Sequence, residues 1–200
     1  LMKQLEEGWL YQKKWMLNNK AFFFDRDGVL NEAVIIKKKP YPPNNIHELI
    51  LEKFAEDIII FLKKLNYKIF VFTNQPDVTR KTTKKNEVIK INNFIKKKFD
   101  IDDLFVCYCS KDTCFRRKPN PGMIYDAKKK WNIDLRNSYV VGDRYKDIKA
   151  GKNAGVKTIF LDKKYNEKKL AKPDFVIKSL NEIKKILEYE HEKFKNKNIC

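Results

Sequence analysis

The stretch Ala21-Phe22-Phe23-Phe24-Asp25-Arg26-Asp27-Gly28-Val29-Leu30-Asn31 decides how the chain is read. Four apolar residues in a row suit a strand buried on both faces, as in the middle of a parallel sheet. The run stops at a carboxylate. Open parallel sheets place ligand sites beyond the carboxyl ends of their strands, so the polar residues that follow such a run are the first to be examined for chemistry. Gly28 allows a tight turn that brings the backbone close to a ligand.

The same pattern repeats outward from this strand. Short apolar runs predict strands at 21–24, 69–72, 104–108, 139–141, 158–161 and 175–177. Longer helical patterns predict helices at 46–65, 83–97, 121–131, 146–153 and 180–194. This alternation specifies an α/β, three-layer, Rossmann-like parallel sheet. In the first helical pattern Leu49, Ile50, Phe54, Ile58, Phe61, Leu62 and Leu65 recur at helical spacing and form a core face. Residues 37–43 contain Pro40, Pro42 and Pro43 and read as a loop. A chain of 200 residues suits one domain with a proper core. The domain is expected over 19–195, after an extension at 1–18 and before a tail at 196–200. Trp9, Tyr11 and Trp15 of the extension are placed to pack on the domain or on a partner, and Leu1 before Met2 leaves the true start open.

Three further strand ends carry polar residues: Thr73-Asn74-Gln75, Gly142-Asp143-Arg144-Tyr145-Lys146-Asp147 and, before the next helix, Arg116-Arg117-Lys118-Pro119. Carboxylates gathered at one sheet edge repel each other, and a bound cation resolves the repulsion. Oxygen-only ligands point to Mg2+, with Asp25, Asp27 and Asp143 as the candidate ligands. Two aspartates one residue apart can offer a side chain and a backbone carbonyl to the same ion. Phosphoryl transfer needs charge neutralisation around the equatorial oxygens, which Thr73 and Lys118 can supply. Asp25 would attack phosphorus, and Asp27 would serve as acid and then base. Helix capping by Asp25, Thr73 and Asp143, with Lys118 on the surface, is the bland alternative for each residue singly. It does not explain the set.

This arrangement resembles the haloacid dehalogenase (HAD) superfamily of phosphatases, whose four motifs are matched in order by Asp25 with Asp27, Thr73, Lys118, and Asp143 with Asp147. The resemblance implies a HAD-like fold and Mg2+-dependent phosphomonoester hydrolysis through an aspartyl-phosphate. Asp25, Asp27, Thr73 and Lys118 would be catalytic, Asn31, Asn74 and Arg117 would touch substrate, and Arg144 and Asp147 would sit beside the metal. The spacing leaves no room for a separate cap domain. The capless branch includes heptose-bisphosphate and histidinol-phosphate phosphatases, and DRDGVLN, TNQPDVTRK, RKPNPGM and VVGDRYKDIKAG look like that group. The implied substrate is a small phosphorylated metabolite, foremost a heptose 1,7-bisphosphate made for surface polysaccharide. Histidinol phosphate and a polynucleotide 3′-phosphate are the alternatives within the same chemistry, and an inactive scaffold module is the alternative outside it.

Two departures from that branch stand out. Its members commonly hold a structural zinc with a Cys-x-His pair followed by Cys-x-Cys. Here the pairs read Cys107-Tyr108-Cys109 and Cys114-Phe115-Arg116. Three thiols remain as candidate Zn2+ ligands, so the loop either holds zinc or is ordered by packing alone. Cys200 could supply a fourth ligand if the C-terminus folds back. The second departure is the loop at 32–41, where heptose phosphatases tend to carry a Gly-Tyr turn.

The composition fits a globular chain, with 42% hydrophobic and 35% charged residues. Crowding of three of the four cysteines into one loop suggests metal binding over a disulfide framework in a reducing compartment. The net charge of +18 favours capture of anionic ligands, although lysines spread over every helix read as solvated faces. Nucleic acid is therefore not the expected partner. Apolar runs such as 22–24 and 58–62 fall far short of the roughly 20 residues of a membrane span. Charges throughout the first 17 residues exclude a secretory signal core, giving a cytoplasmic, monomeric expectation. His47 and His191 read as surface residues, and Trp131 and Tyr139 as core or rim.

Overall fold

The computed structural model describes residues 19–36, 39–168 and 171–197. Its strands are β1 (Ala21–Phe24), β2 (Val34–Ile36), β3 (Lys39–Tyr41), β4 (Lys68–Asn74), β5 (Asp103–Cys107), β6 (Tyr139–Gly142), β7 (Lys157–Leu161) and β8 (Phe175–Ile177). Six of them form one parallel sheet in the order β5-β4-β1-β6-β7-β8. Every predicted strand is present to within two residues at each end.

The four residues of β1 divide between the two faces of this sheet, as a period of two requires. Phe22 and Phe24 pack with Ile58, Ile59 and Leu62 of α1 (Ala55–Lys64) and Ile91 and Ile95 of α2 (Lys85–Lys98). Ile183 and Ile186 of α5 (Ile183–Lys197) complete that layer. Ala21 and Phe23 face Met123, Ile124 and Ala127 of α3 (Gly122–Trp131), and Ala150 and Ala154 of α4 (Tyr145–Ala154). The result is the expected three-layer α/β architecture.

Chain direction explains where the site must fall. From β1 the chain moves outward through β4 to β5, then returns across the sheet to place β6 on the other side of β1. The connections leaving β1, β4 and β6 therefore diverge and leave a crevice at the carboxyl end of β1.

Two segments differ from the expectation. The 46–65 pattern is not one helix: Ile46–Glu48 is a single 3-10 turn capped by the Asn45 side chain, and α1 begins at Ala55. Residues between them are spent on pinning the loop after Asp27. Glu32 N–H donates to Ile50 C=O at 2.8 Å, and Glu52 N–H donates to Leu30 C=O at 3.0 Å. Phe54, with φ at +65°, turns the chain into α1. Ile50 and Leu65, assigned to a core face, are exposed. The proline-rich loop is the other correction, because β2 and β3 pair as an antiparallel ribbon with Pro40 opposite Ile35. A two-stranded ribbon has only edge strands, and edges tolerate a residue without an N–H.

Phe23 is fully buried, with its ring centroid 5.3 Å from that of Phe70 and 6.3 Å from that of Phe72. Replacing Phe23 by Ala should cost about 3–5 kcal/mol by denaturant unfolding, the usual range for emptying a packed aromatic site.

Candidate active site

Asp25 is the first residue after β1, and its backbone N–H still donates to Val141 C=O at 2.9 Å. The strand thus fixes the nucleophile candidate from behind. Its Oδ1 accepts from the Arg26 N–H at 2.7 Å and lies 2.8 Å from Lys118 Nζ. Lys118 is 3% exposed and also reaches Asp147 Oδ1 at 2.6 Å and Phe72 C=O at 3.0 Å. Asp143 follows β6 beside them. Carboxylate oxygens of Asp25, Asp143 and Asp147 all lie within 4.8 Å of one another, and all three residues are buried.

Three buried carboxylates and one ammonium carry a formal charge of −2, and the local electrostatics show the strain. Burial pushes Asp25 up to about 7 against the opposing pull of Lys118, with Asp147 and Asp27 adding to the rise. Asp143 is held well above the usual carboxylate range by burial and then by Asp25 and Asp147. Burial works against the charge on Lys118, but Asp147 and Asp25 outweigh it and hold the ammonium above the usual lysine range. Both oxygens of Asp143 are buried without a hydrogen-bond partner; Tyr165 is a polar neighbour outside good bonding geometry. Orphaned anionic oxygens are costly, and an oxygen-coordinated divalent cation fits both the orphan atoms and the charge deficit.

Two glycines make this crowding sterically possible. A Cβ on Gly28 would lie 1.8 Å from Asp143 Oδ2, and the residue has φ at +91°. A Cβ on Gly142 would lie 2.2 Å from that of Asp147. Asp147 is doubly used, since its Oδ2 accepts the Arg144 N–H at 3.0 Å and caps α4 while Oδ1 holds Lys118.

Asp27 points away from the carboxylate cluster. Arg26 clasps it, with Nη2 donating to Oδ1 at 2.8 Å and to Oδ2 at 2.9 Å, and Gln75 Nε2 donates to Oδ2 at 2.7 Å. Gln75 also donates to Thr73 Oγ1 at 2.9 Å, tying two predicted catalytic groups together. Asn31 is not on the cavity wall. It is fully buried beneath Asp27, donating to Asp27 Oδ1 at 3.2 Å and Glu32 C=O at 2.8 Å, so it supports the loop and does not face a ligand. Asn74 borders the cavity, and its amide makes a reciprocal pair with the Lys118 backbone at 3.1 Å in each direction.

The cavity above these groups measures about 240 Å³ and is bordered by Asp25, Asp27, Thr73, Arg117, Lys118 and Asp147. Its outer wall comes from the ribbon, through Pro40 and Tyr41, and from Arg80 and Lys146. Arg117 is held in place by Asp112 Oδ1 at 3.1 Å and Cys109 C=O at 3.1 Å. Arg144 reaches Glu167 Oε2 at 3.0 Å. The sequence reading assigned no role to Arg26, Gln75, Arg80 or Lys146, while the loop at 32–41, which contains the ribbon, was expected to help choose the substrate. Gln75 was detectable as the third polar residue at the end of β4.

The thiol loop does not gather three ligands. Cys107 and Cys114 have their sulfurs 3.9 Å apart, and Cys109, beside Cys114, also has its Sγ 3.9 Å from Lys111 C=O. Arg116, at the position of the missing cysteine, pairs with Asp126 at 2.8 Å. Among the described residues the carboxylate trio is the grouping with converging ligand atoms. Cys200, Trp9, Tyr11 and Trp15 lie outside the described residues.

Comparison with known proteins agrees with this geometry. Residues 115–183 match the family model described as HAD-hydrolase-like. The chain is 36% identical over 161 residues to the D-glycero-alpha-D-manno-heptose-1,7-bisphosphate 7-phosphatase of Photorhabdus laumondii, covering 72% of this chain and 82% of that one. The chain belongs to the HAD-like family. It is a phosphatase by that membership. The Campylobacter jejuni phosphatase of the same name is 33% identical over 182 residues, 88% of this chain and 99% of that one. A solved heptose bisphosphate phosphatase from B. bronchiseptica, complexed with magnesium and phosphate, shares the fold with a TM-score of 0.73 at 23% identity, covering 86% of this chain and 99% of that one. No helix among the described residues is long and apolar enough to cross a membrane.

Two substitutions report on the cluster. Gly28→Ala forces Asp143 to move and places a side chain at positive φ, so turnover of an aryl phosphate should fall about 100-fold, the scale of a 1 Å misplacement, while far-UV circular dichroism stays unchanged. Lys118→Met removes the counter-charge from a buried carboxylate group and should cost about 3–5 kcal/mol of stability at neutral pH in urea titrations.

Proposed function

We propose that the protein removes the 7-phosphate of D-glycero-D-manno-heptose 1,7-bisphosphate by a two-step, Mg2+-assisted mechanism on Asp25. The observation that carries this reading is the convergence of buried Asp25, Asp143 and Asp147 with a buried Lys118 at the floor of an open cavity. The choice of sugar rests on heptose 1,7-bisphosphate phosphatases being similar to this chain over most of both lengths.

Mg2+ would be held by the Asp25 and Asp143 side chains and the Asp27 backbone carbonyl, with Asp147 alongside; bound there, it would neutralise charge developing on the phosphoryl oxygens. Oδ2 of Asp25, which neither Arg26 N–H nor Lys118 engages, attacks phosphorus as the bond from phosphorus to the leaving oxygen breaks. Protonated Asp27 gives its proton to that oxygen, and the sugar departs as an alcohol. Water then attacks the aspartyl-phosphate, Asp27 takes the proton, and inorganic phosphate leaves with Asp25 restored. Lys118 and the Thr73 hydroxyl donate to the equatorial oxygens in both steps. Arg117 on the cavity wall contacts the substrate phosphate.

A second reading has one finding in its favour. The histidine biosynthesis bifunctional protein HisB of Blochmanniella floridana is 31% identical over 149 residues, 72% of this chain and 41% of that one. A panel containing heptose 1,7-bisphosphate, histidinol phosphate and a 3′-phosphorylated oligonucleotide separates the substrates by kcat/KM. Heptose bisphosphate is expected to lead by at least about tenfold, and a lead by histidinol phosphate would reverse the choice. Asp25→Asn should abolish turnover with the fold intact, and chelation with EDTA should do the same reversibly. Persisting metal-dependent activity in Asp25→Asn would sink the mechanism. Metal analysis of the purified protein measures directly whether the thiol loop holds zinc.

A further inference from the structure

Asn92 interrupts an apolar stripe. On α2 the buried positions are Val88, Ile91, Asn92 and Ile95, the spacing of one helix face turned to the core. Asn92 is 5% exposed, where a leucine or isoleucine would satisfy packing. Its Oδ1 instead accepts from Arg26 Nη1 at 2.8 Å. Arg26 is itself fully buried, with Nε donating to Asp27 Oδ1 at 3.0 Å and Nη2 bonded to both Asp27 oxygens. A planar guanidinium transmits orientation, since fixing one edge fixes the plane of the fork that the opposite edge presents. A helix behind the sheet thus sets the attitude of Asp27 through one rigid group, while Gln75 holds Asp27 from the side of Thr73.

We propose that Asn92 is a positioning residue for the phosphatase reaction, acting through Arg26 to aim the Asp27 carboxyl at the leaving oxygen. The inference rests on the role given to Asp27 above. Asn92 touches no reacting atom. Its effect is confined to the two proton transfers of Asp27: donation to the leaving oxygen as its bond to phosphorus breaks and the phosphoryl group passes to Asp25, and removal of a proton from the water that hydrolyses the aspartyl-phosphate.

That confinement supplies the test. An alkoxide is a poor leaving group and needs the proton, whereas p-nitrophenolate departs without it. Full-length Asn92→Leu fills the space and withdraws the acceptor; Asn92→Asp keeps an acceptor oxygen facing Arg26. With heptose 1,7-bisphosphate, Asn92→Leu should lower kcat about 10- to 100-fold, with KM and the half-saturating Mg2+ concentration unchanged. With p-nitrophenyl phosphate the first-turnover burst of p-nitrophenolate should stay within about twofold of wild type, because Asp27 is needed there only for the later hydrolysis of the aspartyl-phosphate, and Asn92→Asp should recover most of the alkyl activity. Equal losses in the p-nitrophenolate burst rate and in alkyl turnover, or no loss in either, would overturn the inference. Asn92→Ser makes the same comparison if circular dichroism shows Asn92→Leu to be misfolded. A wild-type protein that cleaves p-nitrophenyl phosphate but no alkyl phosphate would instead remove the role assigned to Asp27, and a wild type inert to both would remove the phosphatase mechanism itself.

Discussion

Mutual repulsion of Asp25, Asp143 and Asp147 is the constraint around which the structure is arranged. Two unit charges 4 Å apart at an effective dielectric of 20 repel by about 4 kcal/mol, and Lys118 offsets part of the sum. Nothing local favours bringing these groups together. The sheet does so because β1 and β6 are neighbours whose ends coincide, and the glycines at 28 and 142 remove the atoms that would keep the carboxylates apart. Binding chemistry is thereby stored as electrostatic strain, held by an aromatic core that buries Phe22, Phe23, Phe24, Phe70 and Phe72.

The fold was legible wherever burial on both faces produced an unbroken apolar run. β1, β4, β6 and β7 fall into that class, whereas β5 and β8 are the edge strands and Val176 of β8 is exposed. Failure came where polar backbone pairing replaced periodicity. Leu49 and Ile50 match a helical stripe by spacing, yet their segment is extended because it pairs with the loop carrying Asn31. The ribbon was hidden for a similar reason, since a proline normally argues against a strand and two-stranded ribbons are the exception.

At the site, the charged residues at strand ends were legible because a sheet edge projects them by construction. Residues working one layer deeper were not. Asn92 lies 66 positions from Arg26 in sequence, and no local pattern connects an asparagine in a helix stripe to an arginine after a strand. Asn31 is the converse case: a polar residue within a catalytic motif, expected to touch substrate, donates its amide N–H groups beneath Asp27 and is fully buried, with its Oδ1 unpaired. A polar residue near a site is as often part of the mounting as of the working surface, and burial separates the two.

The same division explains why substrate choice is harder to read than chemistry. The phosphoryl end of the cavity is built from strand ends that the whole core holds rigid. The far end is built from the β2–β3 ribbon, where Ile35 and Ile36 are about half exposed, together with Arg80 and Lys146. A ribbon of three residue pairs is marginal on its own, so its shape can change without disturbing the carboxylate cluster. Similarity to a heptose bisphosphate phosphatase and to a histidine biosynthesis protein, at 36% and 31% identity, is the outcome expected of a phosphoryl-transfer frame that can carry different far walls. Discrimination between two alkyl phosphates then falls to the cavity residues outside the carboxylate cluster, Ala33, Pro40 and Tyr41 on one side and Arg80 and Lys146 across from them.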